Sequence, residues 1–268
     1  DLAGYYHALD VANDTVRVRI AMTRLVIPLP EVVVDGTCAD RTPLETQPVS
    51  LAQLFDQVRQ NAERMRLLAL EKPFTIHTVA EQGFRDGEGN IVSARDTVLV
   101  SRSPLPDVSY QPGRLERLGQ MDGRTVRIIK LPELPDLGDT AFTNNHCFWY
   151  AGQERFESDS VIRVDFEPVP WLAKEVDLEG RIYLRVDDYQ VVGLVTWLNR
   201  MPTGNRVLRD YAVRARFREL VSEIPVITEW TLTNTFHGKR PAFVQSGKVT
   251  GVTWRDSTNP DSVPSAAP

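Results

Sequence analysis

The feature that most constrains this chain is a run of closely spaced apolar segments between residues 142 and 200. Phe148-Trp149-Tyr150 opens the run, and Pro168 and Pro170 end its second segment, because proline cannot donate to a strand ladder. Asp187-Asp188 separates the last two segments, and such a pair suits a tight turn. The run predicts three or four consecutive antiparallel strands, and it contains no recognisable catalytic motif.

A second pattern predicts one long helix just before most of the strands. Ser50 is a favourable N-cap, and Gln53 three residues later completes a capping box. Apolar residues then recur at helical spacing, and Lys72-Pro73 ends the pattern. These residues are Leu51, Leu54, Phe55, Val58, Ala62, Met65 and Leu68.

Most of the remaining sequence predicts strands. Residues 74–85 and 91–102 flank a turn at 86–90, which indicates a hairpin. Residues 211–220 alternate, with Val213, Ala215 and Phe217 facing inward and Arg214, Arg216 and Arg218 facing outward. In residues 224–236 the alternation puts Val226 and Trp230 on one face and Ile227 on the other.

The predicted fold is therefore mainly β: a curved, half-barrel-like antiparallel sheet packed on one long helix. It is preceded by the last strands of a β sandwich at 1–36 and a linker at 37–49. Residues 50–255 form the helix-plus-sheet domain, and 256–268 are a disordered Ser/Pro tail. Because two or three strands cannot bury a core alone, we expect the rest of the first domain to lie before Asp1.

Composition excludes some classes of protein. A net charge of −5 argues against a general nucleic-acid or anionic-membrane binder. No apolar run approaches the roughly 18 residues of a membrane helix. The two cysteines, Cys38 and Cys147, fit one disulfide, although two thiols also occur by chance in cytosolic proteins.

Residues 1–36 resemble the last strands of the carboxypeptidase-regulatory-like (transthyretin-type) domain. The residues that carry this are Leu2-Ala3-Gly4-Tyr5 and the closing strand at 29–36, LPEVVVDG. The remainder resembles the C-terminal region of uncharacterised bacterial proteins with that domain, through His146-Cys147-Phe148, residues 164–168, residues 176–184 and Thr228-Glu229-Trp230. This resemblance implies a periplasmic or secreted protein of the bacterial envelope, and it transfers no catalytic residue.

A second resemblance is to periplasmic lipoprotein carriers of the LolA/LolB-like half-barrel type. It rests on the cadence F-x-P, D-x-x-G-x-x-x-L and Tyr in residues 166–189, where Arg185 replaces the final Asp of the pattern. This resemblance implies a half-barrel fold that holds a hydrophobic ligand.

Local motifs for catalysis or metal binding are missing from the sequence. The four histidines, His7, His77, His146 and His237, show no HxH, HxxxH or HExxH spacing, so we predict no metal and no cofactor. Adjacent residues on a strand point to opposite faces, which prevents His146 and Cys147 from forming a nucleophile–base pair. Three acidic pairs are Asp165/Glu167, Glu175/Asp177 and Asp187-Asp188, and we interpret them as solvated residues near turns.

Two groups remain as binding candidates. The arginine row at 214, 216 and 218 could hold a phosphate or an acidic partner, but alternation alone already requires polar residues there. The aromatic residues could line a ligand cavity or pack on the helix. The predicted ligand-binding residues are Trp149, Trp171, Trp197 and Trp230.

Three hypotheses follow. The first is a non-catalytic binding protein of the cell envelope, which holds a hydrophobic small molecule or an envelope protein on a concave antiparallel sheet. The second is a hydrolase whose site combines His146, Asp165, Glu167 or His237. The third is a structural or assembly module of an outer-membrane system.

Overall fold

The structure is a computed structural model. It describes residues 6–12, 15–21, 38, 50–86, 88, 96–103, 110–113, 116–121, 124–129, 132–202, 208–221 and 224–254. The chain divides into two compact units, Asp1–Glu31 and Val32–Pro268. No helix in the described part is long and apolar enough to cross a membrane.

The first unit contains an antiparallel hairpin of β1 (Tyr6–Ala12) and β2 (Thr15–Ala21), with Tyr6 paired to Ala21. The segments that carry the resemblance to the transthyretin-type domain, residues 2–5 and 29–36, lie outside the described residues. Residues 39–49 and 256–268, predicted as linker and tail, also lie outside them.

The predicted helix is α1 (Leu51–Glu71). The Ser50 side chain accepts from the Gln53 backbone N–H, and the Gln53 side chain accepts from the Ser50 N–H, so the capping box is formed. The buried residues recur at helical spacing and form one mainly apolar face of α1, in which Arg59 and Asn61 are also buried. The apolar ones are Leu54, Phe55, Val58, Ala62, Met65 and Ala69.

A nine-stranded antiparallel sheet dominates the second unit, in the order β4-β3-β13-β12-β11-β10-β9-β8-β7. Its strands are β3 (Phe74–Arg85), β4 (Asp96–Arg102), β7 (His146–Phe156), β8 (Asp159–Pro168), β9 (Leu178–Arg185), β10 (Val191–Leu198), β11 (Leu208–Val221), β12 (Ile224–Phe236) and β13 (Ala242–Trp254). A separate hairpin joins β5 (Glu116–Met121) to β6 (Arg124–Ile129). The prediction of a mainly β, curved antiparallel sheet packed on a helix is confirmed.

The sheet is a simple meander from β7 to β13, to which the β3–β4 hairpin is added at the end. The last strand, β13, lies between β12 and β3, and Trp254 pairs with Phe74. The first and last parts of the second unit are therefore joined by main-chain hydrogen bonds.

The two faces of the sheet differ. Helix α1 and alternate residues of the strands form one large core, with Phe55 against Phe148 at a ring-centroid distance of 4.5 Å. We call this side the helix-bearing face. The opposite side, the outer face, carries a smaller apolar cluster of Phe156, Val161, Tyr183 and Val192 and many charged residues. Val213, Ala215 and Phe217 lie in the large core, as predicted.

One local prediction was wrong, and two short helices were not predicted. Ile227 packs in the large core, because a bulge between Arg216 and Phe217 shifts the register so that Phe217 pairs with Ile227. Residues 132–140, for which the sequence patterns above indicate no helix, contain α2 (Leu134–Leu137) and the start of α3 (Thr140–Thr143). A β-carbon at Gly138 would lie 2.7 Å from that of Ala62, so glycine permits the close approach of α2 to α1.

Cys38 and Cys147 form a disulfide across a sequence separation of 109 residues. Cys147 lies in β7, which pairs only with β8 among the described strands. The bond therefore holds Cys38 beside one edge of the sheet.

Candidate functional site

A polar cluster in the interior is centred on Asp177, which has 0% exposure. Its Oδ1 accepts from the Leu178 backbone N–H at 2.8 Å. Its Oδ2 accepts from the Tyr110 hydroxyl at 2.8 Å and from the Gly113 N–H at 2.9 Å. Three donors thus satisfy this buried carboxyl group, and the hydrogen bonds join the segment at 110–113 to the start of β9.

His146 lies beside this carboxylate, with 3.7 Å between Nε2 and Asp177 Oδ1. Its ring nitrogens also face two carbonyl oxygens, of Phe142 at 2.9 Å and Leu178 at 3.1 Å. Burial lowers the pKa of His146, and the Asp177 carboxylate acts in the opposite direction. Both ring nitrogens therefore face acceptors, and these two carbonyl contacts also act to raise the pKa of His146.

Tyr110 completes the cluster. Burial, reinforced by the neighbouring Asp177, raises the pKa of its hydroxyl. Its backbone N–H donates to Asp136 Oδ1 at 3.1 Å, and Asp136 Oδ2 accepts from the Glu133 N–H at 3.0 Å. His146, Asp177 and Tyr110 are all buried, and their contacts join three separate segments of the chain, which is the arrangement of a structural support.

The residues of the hydrolase hypothesis are separated in the structure. The His146 ring contacts Phe142 and Phe166 of the large core. Asp165 lies on the outer face, where it accepts from Arg163 Nε at 2.8 Å. Glu167 shares that face with Asp165, and His237 is exposed beyond the end of β12. Thus no pair of His146 with either acid forms a catalytic arrangement.

The arginine row of β11 is matched by acids of the same chain. Glu157, in the turn between β7 and β8, lies 3.0 Å from Arg216 and 3.7 Å from Arg214. Arg218 donates to Asp159 at 2.9 Å. These ion pairs give the row internal partners and reduce its capacity to bind a phosphate.

The apolar cluster on the outer face explains how that turn reaches β11. Phe156 stacks on Tyr183 at 4.4 Å and occupies the space over Gly193, where a β-carbon would lie 2.4 Å from the ring. The Arg214 guanidinium lies 4.7 Å from the centre of the same ring. The tip of the β7–β8 hairpin is thus fixed over the outer face.

The four predicted ligand-binding tryptophans do not lie together. Trp149 is on the outer face, since Phe148 and Tyr150 on either side of it pack in the large core. Trp197 is also on the outer face, where its Nε1 donates to Glu179 and its ring is 5.6 Å from the Arg181 guanidinium. Trp171 is 53% exposed in a short 3₁₀ helix at Pro170–Leu172. Only Trp230 lies on the helix-bearing face, and a ligand-binding role for any of the four stays a prediction.

Trp230 belongs to an apolar strip at the end of the helix-bearing face. Burial declines along β3, from a fully buried Ile76 to Phe84 at 39% exposure. The Phe84 ring contacts that of Phe243 on β13 at 5.5 Å, and the register continues from Phe243 to Asn234 on β12. The strip comprises the half-buried Trp230, Leu232, Phe236 and Phe243 together with Phe84.

One polar atom within this strip has no partner in the part of the chain that the structure describes. Asn234 Oδ1 is buried and accepts no hydrogen bond there. A buried acceptor without a donor costs about 1–3 kcal/mol. Gln245 pairs with Leu232 and with Gln82, so the same face also carries the amide side chains of these two glutamines. The strip therefore combines large apolar side chains with amide groups.

Within the described ranges, no group of three or more His, Cys, Asp or Glu side chains could hold a metal ion.

The sequence did not reveal the role of Asp177, which was interpreted with Glu175 as a solvated acid. Its partner Tyr110 is 67 residues away, and the one local signal was an aspartate directly before an apolar strand. The strip was also missed, because its residues come from three separate strands.

No model of a protein family matches the sequence, and no curated protein matches it. Solved structures are similar at low identity. A LolA superfamily protein from Nitrosomonas europaea has 9% identity and a TM-score of 0.42, and the match covers 78% of this chain and 94% of that one.

Two further solved structures are similar to the same degree. A DUF1329 family protein from Desulfovibrio piger has 10% identity and a TM-score of 0.40, with 76% of this chain and 94% of that chain covered. An outer membrane lipoprotein-sorting protein domain from Vibrio parahaemolyticus has 11% identity and a TM-score of 0.41, with 77% and 95% covered. At these scores the similarity transfers neither a ligand nor a reaction to this chain.

Proposed function

We propose that this chain is a non-catalytic binding protein of the cell envelope, which holds a hydrophobic ligand on the apolar strip. The observation that carries the proposal is the decline of burial on the helix-bearing face, where Phe84 and Phe243 remain in contact with each other beyond the well-covered core. Large apolar side chains left accessible beside a rigid core indicate a binding surface. The proposal does not depend on the similar solved structures.

The ligand class follows from the chemistry of the strip. Aromatic and aliphatic side chains favour an acyl chain or another flexible apolar group, because each buried methylene contributes about 0.8 kcal/mol. The unpartnered Asn234 Oδ1 favours a ligand that also carries an N–H or O–H donor. We therefore propose an acyl chain with an amide or hydroxyl group, of which Asn234 would recognise the polar part.

The compartment is part of the same proposal. The Cys38–Cys147 disulfide fits an oxidising environment, because such bonds persist in secreted and periplasmic proteins and are rare in the cytosol. The transthyretin-type domain at the start of the chain stays a prediction and would suit the same location.

The test is displacement of an apolar fluorescent probe from the purified, oxidised protein by a long-chain fatty amide and by the methyl ester of the same chain. We expect both to compete, and the amide to compete better. Phe84→Gln should weaken both by about tenfold, which corresponds to about 1.4 kcal/mol, whereas Asn234→Leu should remove only the preference for the amide. Leu70→Gln is the matched control, because Leu70 is 59% exposed on α1, away from the strip.

Two results would reject the proposal: failure of the wild-type protein to bind either compound, or equal binding by wild type and Phe84→Gln. Circular dichroism of each variant shows whether its fold is intact. Because Phe84 is already substantially exposed, its replacement should leave the fold unchanged.

A further inference from the structure

The two edges of the large sheet are protected to very different extents. At one edge, β7 contains a bulge between Tyr150 and Gly152, where φ of Gly152 is +116°. It also presents the exposed charged residues Glu154 and Arg155, and it is bonded to Cys38. Bulges, charges and covering segments are the means by which proteins prevent an edge strand from pairing with another chain.

At the other edge, β4 has few of these features. Among the described strands it pairs only with β3, with Leu99 opposite Val79 and no shift of register. Leu99 is 80% exposed and Val100 is 41% exposed. A regular edge strand with exposed apolar residues is a surface on which another strand can add to the sheet.

The sequence of β4 is complementary to itself. When two copies of Asp96–Arg102, DTVLVSR, are placed antiparallel about Leu99, position 96 of each copy is opposite position 102 of the other. An aspartate is then opposite an arginine at both ends, Thr97 is opposite Ser101, Val98 is opposite Val100, and Leu99 meets Leu99. Opposite charges and apolar pairs directly across strands are the stabilising combinations in antiparallel sheets.

We propose that β4 is a dimerisation edge, and that its occupant is β4 of a second copy of this chain. The two-fold axis passes through Leu99, so the nine-stranded sheet continues into the sheet of the partner. Such an interface is self-complementary, as two-fold symmetry requires. The inference is independent of the proposed ligand.

Arg102 is available for this contact although it has a partner within its own chain. Its Nη1 donates to Glu133 Oε1 at 2.7 Å. A guanidinium has five N–H donors, so one such bond leaves others for a carboxylate of the second copy.

Cysteine crosslinking tests the dimer and its register together. In the proposed register, Leu99→Cys places two thiols on residues directly opposite, with Cα atoms about 4.5–5.5 Å apart, within the range of a disulfide. Thr97→Cys is the matched control on the same exposed strand and face. Its two thiols would be four residues out of register, about 13 Å apart, and should not crosslink.

Sedimentation or light scattering of the purified protein gives the independent readout. We expect a dimer for wild type and a monomer for Leu99→Lys, which places two like charges opposite each other at the two-fold axis. Leu70→Lys, an exposed change on α1, should remain dimeric. The Asp96→Arg and Arg102→Asp variants should each be monomeric, because like charges then lie opposite each other at positions 96 and 102. A mixture of the two variants should form a heterodimer, in which the opposite charges are restored.

Three outcomes would overturn the proposal. These are a wild-type protein that is monomeric at all accessible concentrations, equal crosslinking of the two cysteine variants, and a dimer that persists in Leu99→Lys. A monomeric protein that instead captures an added peptide strand at this edge would also count against the second copy as the occupant.

Discussion

Replacement of Asp177 by asparagine removes one charge and one acceptor from the buried polar cluster. The carboxylate accepts from the Leu178 and Gly113 N–H groups and from the Tyr110 hydroxyl, and it has 0% exposure. An amide has one acceptor oxygen. The asparagine oxygen can therefore take the place of Oδ1 and accept from Leu178, or take the place of Oδ2 and accept from Gly113 and Tyr110. In either orientation the NH₂ group points at a donor that it cannot bond.

The magnitude follows from these contacts. In the better orientation one charge-assisted hydrogen bond is lost, which costs about 1.5–3 kcal/mol, and two others become neutral, which costs about 1 kcal/mol each. We expect the free energy of unfolding to fall by about 3–5 kcal/mol, as for other broken buried charged contacts. Tyr110→Phe removes one donor and leaves the carboxylate with two, so it should cost only about 1–2 kcal/mol.

The assay is urea unfolding of the oxidised protein at pH 7, followed by tryptophan fluorescence and circular dichroism. Asp187→Asn is the matched control, because Asp187 is exposed in the β9–β10 turn and its replacement should change stability by less than about 0.5 kcal/mol. The explanation is refuted if Asp177→Asn costs no more than Asp187→Asn, or less than Tyr110→Phe.

Three further predictions concern other parts of the molecule. Gly247→Ala should destabilise the protein by about 1–3 kcal/mol and alter its tryptophan emission, because a β-carbon there would lie 2.4 Å from Trp230 Nε1. Gly251→Ala is the control, because a β-carbon at Gly251 would meet nothing within 4 Å. Equal effects of the two substitutions would contradict the packing of Trp230 on Gly247. Because burial lowers the pKa of His146, the folded state binds fewer protons than the unfolded state, and stability should decrease as the pH falls below about 6.5. His146→Asn should reduce this part of the pH dependence, and an unchanged slope would show that His146 does not cause it. Reduction of the Cys38–Cys147 bond should lower stability by about 4–5 kcal/mol, given its 109-residue separation; equal urea midpoints with and without reductant would argue against this.

Local patterns predicted the local structure well. The helix from Ser50 onward depends on spacing and on a capping box within four residues, and α1 begins as predicted. The two short helices were missed although Pro135 and Asp139 are helix-start residues, because a helix of four residues has no periodicity to detect. The error at Ile227 has a similar origin: a bulge changes the face of every later residue, and strict alternation cannot show where it occurs.

The candidate site was harder to predict, because it depends on pairings between distant segments. Phe84 and Phe243 come together only because β13 pairs with β3, and no signal near either residue indicates the other. The tryptophans were chosen because aromatic residues could line a cavity, and the structure places three of them on opposite faces of the sheet and Trp171 in a 3₁₀ helix. The self-complementarity of β4, by contrast, lies within seven consecutive residues and is visible in the sequence once the strand is bounded at Asp96 and Arg102.

The position of β13 between β3 and β12 also determines the order in which the fold can be completed. Phe74 pairs with Trp254, a contact across most of the second unit, so the sheet has a high contact order and is expected to fold slowly. Until the last strand is synthesised, β3 and β12 each have an open edge, and the β3–β4 hairpin has no strand that attaches it to the meander. A nascent chain of this protein would therefore depend on protection from association until residues 242–254 have emerged and joined the two parts.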